Sequence, residues 1–340
     1  MMSSGGLKFL LGGIGAGLLA ANALGQLFQL PTANRALFEA GAEEKFFVGT
    51  AGRTWESGMF GCVRSDGYQL HEGLDIRCVD RDKRGEPTDP VMASAEGTVA
   101  YINRKAALSN YGKYIILRHR VDGIDVYTTY AHLSEVRKDL RDGQPVKAGE
   151  DIGVMGRTAN TGEGISKDRA HLHFEIGLVL NDQFAQWYRA NHPGQRNDHG
   201  DWNGQNLRGL DPRLILLQQQ KEGDKFSLTR FIRNQTELCR VQVRDTQFPW
   251  LRRYPTLILR NPLAEKEGIA GYDIVFNYVG LPFQMVPRAA SELKSKSAVH
   301  LLSVNATELA AHPCGKLVTQ RRGDWELTTA GQNLISLITH

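Results

Sequence analysis

The spacing of apolar and polar residues predicts a β-rich module across the middle of the chain. Alternating runs occupy residues 97–102, 113–119, 124–132 and 171–178, with the period of strands that bury one face. Asp122-Gly123, between two of these runs, is typical of a turn. These signals predict an antiparallel sheet.

The regions that flank this module have different patterns. Residues 24–53 predict a linker with a helical patch at 36–47, and residues 183–210, rich in Asn, Gly and Gln, predict a long irregular loop. Beyond residue 217, strand-like and helical patterns are mixed; the strand-like runs are 241–243, 256–259 and 273–278, and the helix is at 329–338. No internal repeat is found.

The first thirty residues indicate export. Phe9 to Ala21 carry no charge, but this run is too short to span about 30 Å of hydrocarbon as a helix, which takes roughly 20 apolar residues. Ala21-Asn22-Ala23 has the small-x-small pattern of a cleavage site. We expect a signal peptide over 1–23 and a location in the periplasm or cell envelope. An uncleaved anchor that reaches Leu30 is the alternative, and would be the chain's contact with the membrane.

Length and charge narrow the range of functions. A chain of 340 residues exceeds the usual size of one domain. We predict a mainly β fold, with an antiparallel domain over 54–217 and a smaller mixed α+β domain of unknown role over 218–340. The net charge of +4 is small for this length, and no nucleic-acid-binding motif accompanies it, so a nucleic-acid partner is not expected.

The four cysteines fit an exported protein without proving disulfides. Cys62 and Cys78 lie in the first half of the chain, and Cys239 and Cys314 lie in the last third. Of the three possible connectivities, 62–78 with 239–314 is the natural choice if the thiols are oxidised. Buried reduced thiols are the alternative. No Cys-x-x-Cys is present, so a cysteine zinc site is not expected.

Four histidine and carboxylate positions have the spacing of a metal site. His171 and His173 alternate along a predicted strand and share one face. His71 and Asp75 are four positions apart, and Gly73 between them favours a loop that enters a strand over a helix. A catalytic zinc takes three ligands from His, Asp or Glu and keeps one position open for water. Two His and one Asp meet this requirement.

With these residues the chain resembles the LytM/lysostaphin-type zinc endopeptidases, peptidase family M23, whose members cut peptidoglycan peptides. The resemblance covers about residues 64–217 and depends on six short motifs in the family's order. They are His71-x-Gly-x-Asp75, Ala95-x-Gly-Thr-Val, Tyr111-Gly-Lys-Tyr-Ile-Ile-Leu-Arg-His119, Tyr130-Ala-His-Leu-Ser134, Val146-Lys-Ala-Gly-Glu-x-Ile-Gly153 and His171-Leu-His-Phe-Glu175.

The resemblance implies a metallopeptidase domain with one zinc ion per chain, bound by His71, Asp75 and His173. It also implies that His171 is the general base that takes the proton of the attacking water. His132 would hydrogen-bond the developing oxyanion or orient the water. Peptidoglycan is the expected partner. A non-catalytic envelope module that binds wall peptides or regulates another hydrolase is the alternative function.

Overall fold

The structure is a computed structural model that describes residues 27–340. The predicted signal peptide or anchor over 1–23 lies outside the described residues. Within residues 27–340, no helix is both long and apolar enough to cross a membrane.

The described chain is built mostly from short antiparallel strands. In chain order these are β1 (Gly61–Arg64), β2 (Gln69–His71), β3 (Leu74–Arg77), β4 (Pro90–Met92), β5 (Gly97–Asn103), β6 (Lys113–Val121), β7 (Ile124–Leu133), β8 (Glu135–Val136), β9 (Pro145–Val146), β10 (Asp151–Val154), β11 (His171–Val179), β12 (Leu207–Leu210), β13 (Cys239–Val243), β14 (Gly271–Phe276), β15 (Pro282–Arg288), β16 (Val299–Val304), β17 (Val318–Arg321) and β18 (Asp324–Leu327).

The helices are short and most lie in the second half of the chain. They are α1 (Glu43–Phe46), α2 (Phe184–Asn191), α3 (Pro212–Glu222), α4 (Leu228–Arg233), α5 (Pro249–Arg253), α6 (Pro262–Glu267), α7 (Ala306–Ala311) and α8 (Thr329–Thr339).

The largest sheet is the predicted antiparallel module. Its strands run in the order β12-β11-β7-β6-β5-β9, and β3 also pairs with β11. The four strands predicted from alternation correspond to β5, β6, β7 and β11, and each is confirmed. Asp122 and Gly123 both have positive φ, 49° and 79°, as a two-residue hairpin turn between β6 and β7 requires.

A second sheet, in the order β15-β14-β13-β16, forms the centre of the C-terminal part. The strand-like runs at 241–243 and 273–278 lie in or overlap β13 and β14, and the helix predicted at 329–338 is α8. The strand predicted at 256–259 is wrong. Pro255 starts a 3₁₀ turn over Pro255–Leu257 instead, because its fixed φ suits the first position of a helical turn and it lacks the N–H that a strand ladder needs.

The irregular loop predicted over 183–210 is partly wrong. It contains α2, which buries Phe184, Trp187 and Tyr188. These residues follow the i, i+3, i+4 spacing of a helix face. The loop also contains β12, which pairs with β11 along residues 176–179. A segment that the composition assigned to a loop therefore extends the main sheet.

Part of the predicted linker over 24–53 packs in the hydrophobic core. Phe28, Phe46 and Phe47 are fully buried, and the Phe28 N–H donates to Gln219 Oε1 at 3.1 Å. One continuous cluster of buried apolar residues includes these side chains together with the interiors of both large sheets. The domain boundaries at 54, 217 and 218 remain predictions.

The cysteine pairing predicted within each region is wrong. Cys62 on β1 is bonded to Cys314, with Cα atoms 5.3 Å apart and 252 residues between them in sequence. Cys78 and Cys239 are free and buried. The C-terminal part packs against β1, since a Cβ built on Gly61 would lie 2.9 Å from the Tyr278 hydroxyl. This packing creates a pair that sequence separation disfavoured.

Candidate metal centre

The predicted site residues lie on adjacent strands of the main sheet. β11 carries His171 and His173, and His173 is paired with Asp75 on β3. On its other side, β11 pairs with β7, which carries His132. His71 is the last residue of β2, just before β3. The sheet therefore brings together all five residues that the sequence singled out.

Three of these residues direct atoms that can bind a metal ion toward one point. His71 Nε2 and His173 Nδ1 lie 3.1 Å apart, and they lie 3.1 Å and 3.0 Å from Asp75 Oδ1, respectively. All three side chains are buried. Two nitrogen donors and one carboxylate oxygen form the donor set of a catalytic zinc site.

Hydrogen bonds outside this cluster fix which atoms face inward. His71 Nδ1 is 2.7 Å from the Met59 carbonyl oxygen, which only accepts, so Nδ1 carries the proton and Nε2 is free to bind a metal. His173 Nε2 donates to Glu175 Oε1 at 2.8 Å, which leaves Nδ1 facing inward. Arg64 Nη2 donates to Asp75 Oδ2 at 2.7 Å. Such outer contacts orient metal ligands.

The arrangement of these three side chains suits a bound cation. With neutral rings, two nitrogen lone pairs and a carboxylate oxygen face each other at about hydrogen-bond distance, and a proton or a metal ion must lie among them. Burial lowers the pKa of His71. Burial also opposes charge on His173, but hydrogen bonds to Asp75 and Glu175 raise its pKa to about 10. Burial opposes charge on Asp75 too, yet His171 and His71 hold its pKa well below the usual value.

His171 is anchored by a backbone carbonyl and keeps one nitrogen available. Its Nδ1 donates to the Arg169 carbonyl oxygen at 2.7 Å, so Nε2 is the acceptor of the neutral ring. That Nε2 lies 3.4 Å from Asp75 Oδ1. A protonated His171 would therefore have a carboxylate beside its new proton.

His132 is held in the same way, by a backbone carbonyl. Its Nδ1 donates to the Thr158 carbonyl oxygen at 2.9 Å, and its ring centroid is 4.9 Å from that of His171. Burial, with His171 and His173 nearby, lowers the pKa of His132 well below the usual value. A neutral His132 with Nδ1 occupied can only accept a hydrogen bond at Nε2.

A bulge in β7 directs His132 to the site. The register between β6 and β7 shifts between Lys113 and Ile115, and His132 has a φ of 63°, a region that non-glycine residues rarely adopt. Bulges and such backbone conformations cluster at functional sites, where they direct a side chain.

Sequence reasoning missed three residues that support the metal ligands. Glu175 binds His173, and the Tyr111 hydroxyl donates to the same Glu175 oxygen at 2.5 Å. Arg64 binds Asp75. Alternation from His171 through His173 to Glu175 was a signal for Glu175, which shares their face of β11. Nothing in the sequence pattern linked Arg64 or Tyr111 to the site.

The centre opens into a cleft of about 290 Å³. His132, His171 and His173 lie along its wall, together with Asn110 and Arg169. This volume is at the lower end of the range for small-molecule pockets. A segment of an extended peptide therefore fits the cleft better than a folded protein.

Comparison with known proteins agrees with this geometry. The sequence model of peptidase family M23 matches residues 69–184. A lipoprotein NlpD of Yersinia enterocolitica is 37% identical over 95 residues, which are 28% of this chain and 84% of that protein. The chain belongs to peptidase family M23, as the motifs indicated.

Other relatives match over a smaller share of their length. The lipoprotein NlpD/LppB homolog of Pseudomonas aeruginosa is 33% identical over 118 residues, 35% of this chain and 32% of that protein. The murein hydrolase activator NlpD of Escherichia coli is 38% identical over 106 residues, 31% of this chain and 22% of that protein. The chain spans a third or less of these two relatives.

Among solved structures, the catalytic domain of the antimicrobial peptidase lysostaphin from Staphylococcus simulans is similar at 20% identity. The match covers 51% of this chain and 89% of that domain, with a TM-score of 0.28.

Proposed function

We propose that this protein is an exported, zinc-dependent endopeptidase that hydrolyses peptide bonds of bacterial peptidoglycan. The observation that carries the proposal is the convergence of His71 Nε2, Asp75 Oδ1 and His173 Nδ1 beside two further histidines with free Nε2 atoms. A buried site that needs a cation and also presents two hydrogen-bond acceptors to a cleft is suited to hydrolysis.

The chain's own residues divide the work of hydrolysis. Zinc held by His71, Asp75 and His173 supplies Lewis acidity toward water and the scissile carbonyl. His171 accepts the proton of the attacking water at Nε2, which the Nδ1–H bond to the Arg169 carbonyl oxygen leaves as the acceptor of the ring. It then returns this proton to the leaving amine.

His132 has the role of orienting water in this proposal. Its Nδ1–H donates to the Thr158 carbonyl oxygen, and its lowered pKa keeps the ring neutral. Nε2 can then accept a hydrogen bond from the attacking water but cannot donate one to an oxyanion. Of the two roles that the resemblance implied for His132, this geometry favours the orientation of water.

The relatives support a location and a substrate in the cell envelope. Three of them are named as NlpD lipoproteins or as a murein hydrolase activator. The name murein hydrolase activator supports a second function, that of a non-catalytic module that activates another wall hydrolase. We favour catalysis because a binding module has no chemical need for two histidines held beside a complete ligand set.

Digestion of purified sacculi tests the proposal. Zinc-loaded protein beginning near Leu24 is expected to release muropeptides that mass spectrometry identifies. His173→Ala is expected to release none, since it removes a ligand. His340→Ala, which changes an exposed histidine, is the matched control and is expected to act like the wild type. Absence of release from several wall types with zinc bound would support the activator function instead.

A further inference from the structure

A second cleft adjoins the metal centre and carries an arginine that has no carboxylate partner among residues 27–340. This second cleft has a volume of about 450 Å³ and shares Glu72, Asn110 and Tyr111 with the cleft of the metal centre. A peptide in the first cleft can therefore continue into the second. The volume is sufficient for one amino-acid side chain.

Arg208 on β12 lines this second cleft. Its Nε is shielded from solvent and has no hydrogen-bond acceptor within residues 27–340. The contact of its Nη1 is a long one, 3.3 Å to the carbonyl oxygen of the preceding residue. Burial lowers the pKa of Arg208. The residue as a whole is half-buried, and a partly desolvated guanidinium without a carboxylate is costly unless a ligand supplies one.

The other charges of the second cleft leave Arg208 available. Arg196 is already paired with Asp198 at 2.6 Å. Glu72 lies close enough to favour the charged form of Arg208, but no ion pair within 4.0 Å joins them among the salt bridges of the described chain. Glu72 and Arg208 thus both line the cleft with opposite charges and without a direct ion pair between them in the described chain.

We propose that Arg208 is a specificity residue that binds a free carboxylate of the substrate peptide near the scissile bond; this rests on the proposed peptidase function. A guanidinium binds a carboxylate through two parallel hydrogen bonds, which Lys cannot reproduce. A carboxamide at the same position could accept only one of these hydrogen bonds, through its oxygen, and would bring no negative charge to the guanidinium. Peptides with the carboxylate should therefore be preferred over their amidated counterparts.

A purely structural role is the competing explanation. The Arg208 Nε lies near the C-terminal part, 3.6 Å from the point where a Cβ on Gly280 would be. If Arg208 only supports that contact, its replacement would affect all peptides equally. Discrimination between carboxylate and carboxamide separates the two roles, because stability alone cannot change it.

The test uses zinc-loaded protein and synthetic stem peptides in which each carboxylate is amidated in turn. Amidation at one position is expected to lower kcat/KM about tenfold or more in the wild type. Arg208→Gln should lose this discrimination through a higher KM for the carboxylate peptide, with little change for the carboxamide. Arg208→Lys should keep part of it, and Arg189→Gln, which removes an exposed charge on α2, should keep all of it.

Two outcomes would overturn the proposal: a wild type that treats all the peptides alike, or Arg208→Gln and Arg208→Lys variants that keep the full preference. If no peptide is cleaved, the proposed peptidase function fails first. Calorimetric binding of the same peptides then decides about Arg208. A carboxylate preference in binding that disappears in Arg208→Gln supports the subsite, and equal or absent binding contradicts it.

Discussion

Two clusters of charged and polar side chains, each around a buried aspartate, lie in different parts of this protein, and their hydrogen bonds differ in kind. In the C-terminal sheet, Asp273 accepts from Gln242 at 2.8 Å and from Arg288 at 2.8 and 2.6 Å. Glu292 accepts from Arg288 at 3.0 Å and from Asn261 at 2.8 Å. Each carboxylate here has donors, so this cluster needs no ligand.

The metal centre is arranged in the opposite way. His71, Asp75 and His173 use their outward atoms for hydrogen bonds with Met59, Arg64 and Glu175, while their inward atoms are all acceptors when both rings are neutral. A satisfied cluster stabilises a fold, whereas convergent acceptors need a cation from outside. The comparison teaches that burial and charge alone do not mark function; the direction of the donors and acceptors does.

The largest expected effect is from the removal of a ligand. Asp75→Ala should abolish zinc binding and reduce peptide cleavage by roughly 10³-fold or more, since the nucleophile depends on the metal. Zinc content by mass spectrometry and cleavage of sacculi measure this. If Asp75→Ala bound zinc as the wild type does, the proposed difference between the metal centre and the C-terminal cluster would be contradicted.

The counterpart in the C-terminal cluster should affect stability alone. Arg288→Ala leaves Asp273 buried without its cation and is expected to cost about 3–5 kcal/mol of unfolding free energy. Denaturant unfolding measures the loss, and zinc content should stay at one ion per folded chain. Loss of zinc from folded Arg288→Ala would show that the two clusters are coupled.

A smaller effect is expected from Glu175, which orients His173. Glu175→Gln keeps the shape but weakens the hold on the His173 Nε2–H, and zinc affinity should fall by about 10–100-fold. Competition with a chelator measures it. Glu72→Gln, a carboxylate that contacts no metal ligand by hydrogen bond in the described chain, is the control. Equal affinities for both variants would contradict the role of Glu175.

The smallest expected effect, for each pH unit, is the dependence of zinc affinity on pH. Without metal, the pKa of His173 is raised to about 10, so zinc displaces a proton at any pH below this value. Affinity should then rise about tenfold per pH unit between roughly pH 7 and 9. In the zinc-free protein the same proton stabilises the fold fully below the unfolded pKa near 6.5, and this stability is lost as pH rises toward 10. Calorimetry that finds no proton release on zinc binding would contradict this.

The sequence predicted the parts of the molecule whose signals are local. Alternation in 171–178 placed His171 and His173 on one face of a strand, and the motif around His71 and Asp75 supplied the rest of the proposed ligand set. The C-terminal sheet was recognised from two of its strands, but Pro255 turned a third strand-like run into a 3₁₀ turn.

Contacts between distant segments were beyond the sequence pattern. The Cys62–Cys314 bond, the pairing of β12 with β11 and the approach of Arg64 to Asp75 all depend on how the segments pack. A single sequence carries no direct signal for that packing. The position of Arg208 beside the metal cleft could not be predicted for the same reason.

The most direct measurement of the central claim is to assay His171→Ala for zinc and for cleavage together. His171 lies beside the ligands without being one of the three convergent donors. We expect one zinc per chain and cleavage reduced by about 10²–10⁴-fold, the usual contribution of a general base. Unchanged cleavage with zinc bound would contradict the assignment of His171 and, with it, this account of the centre as catalytic.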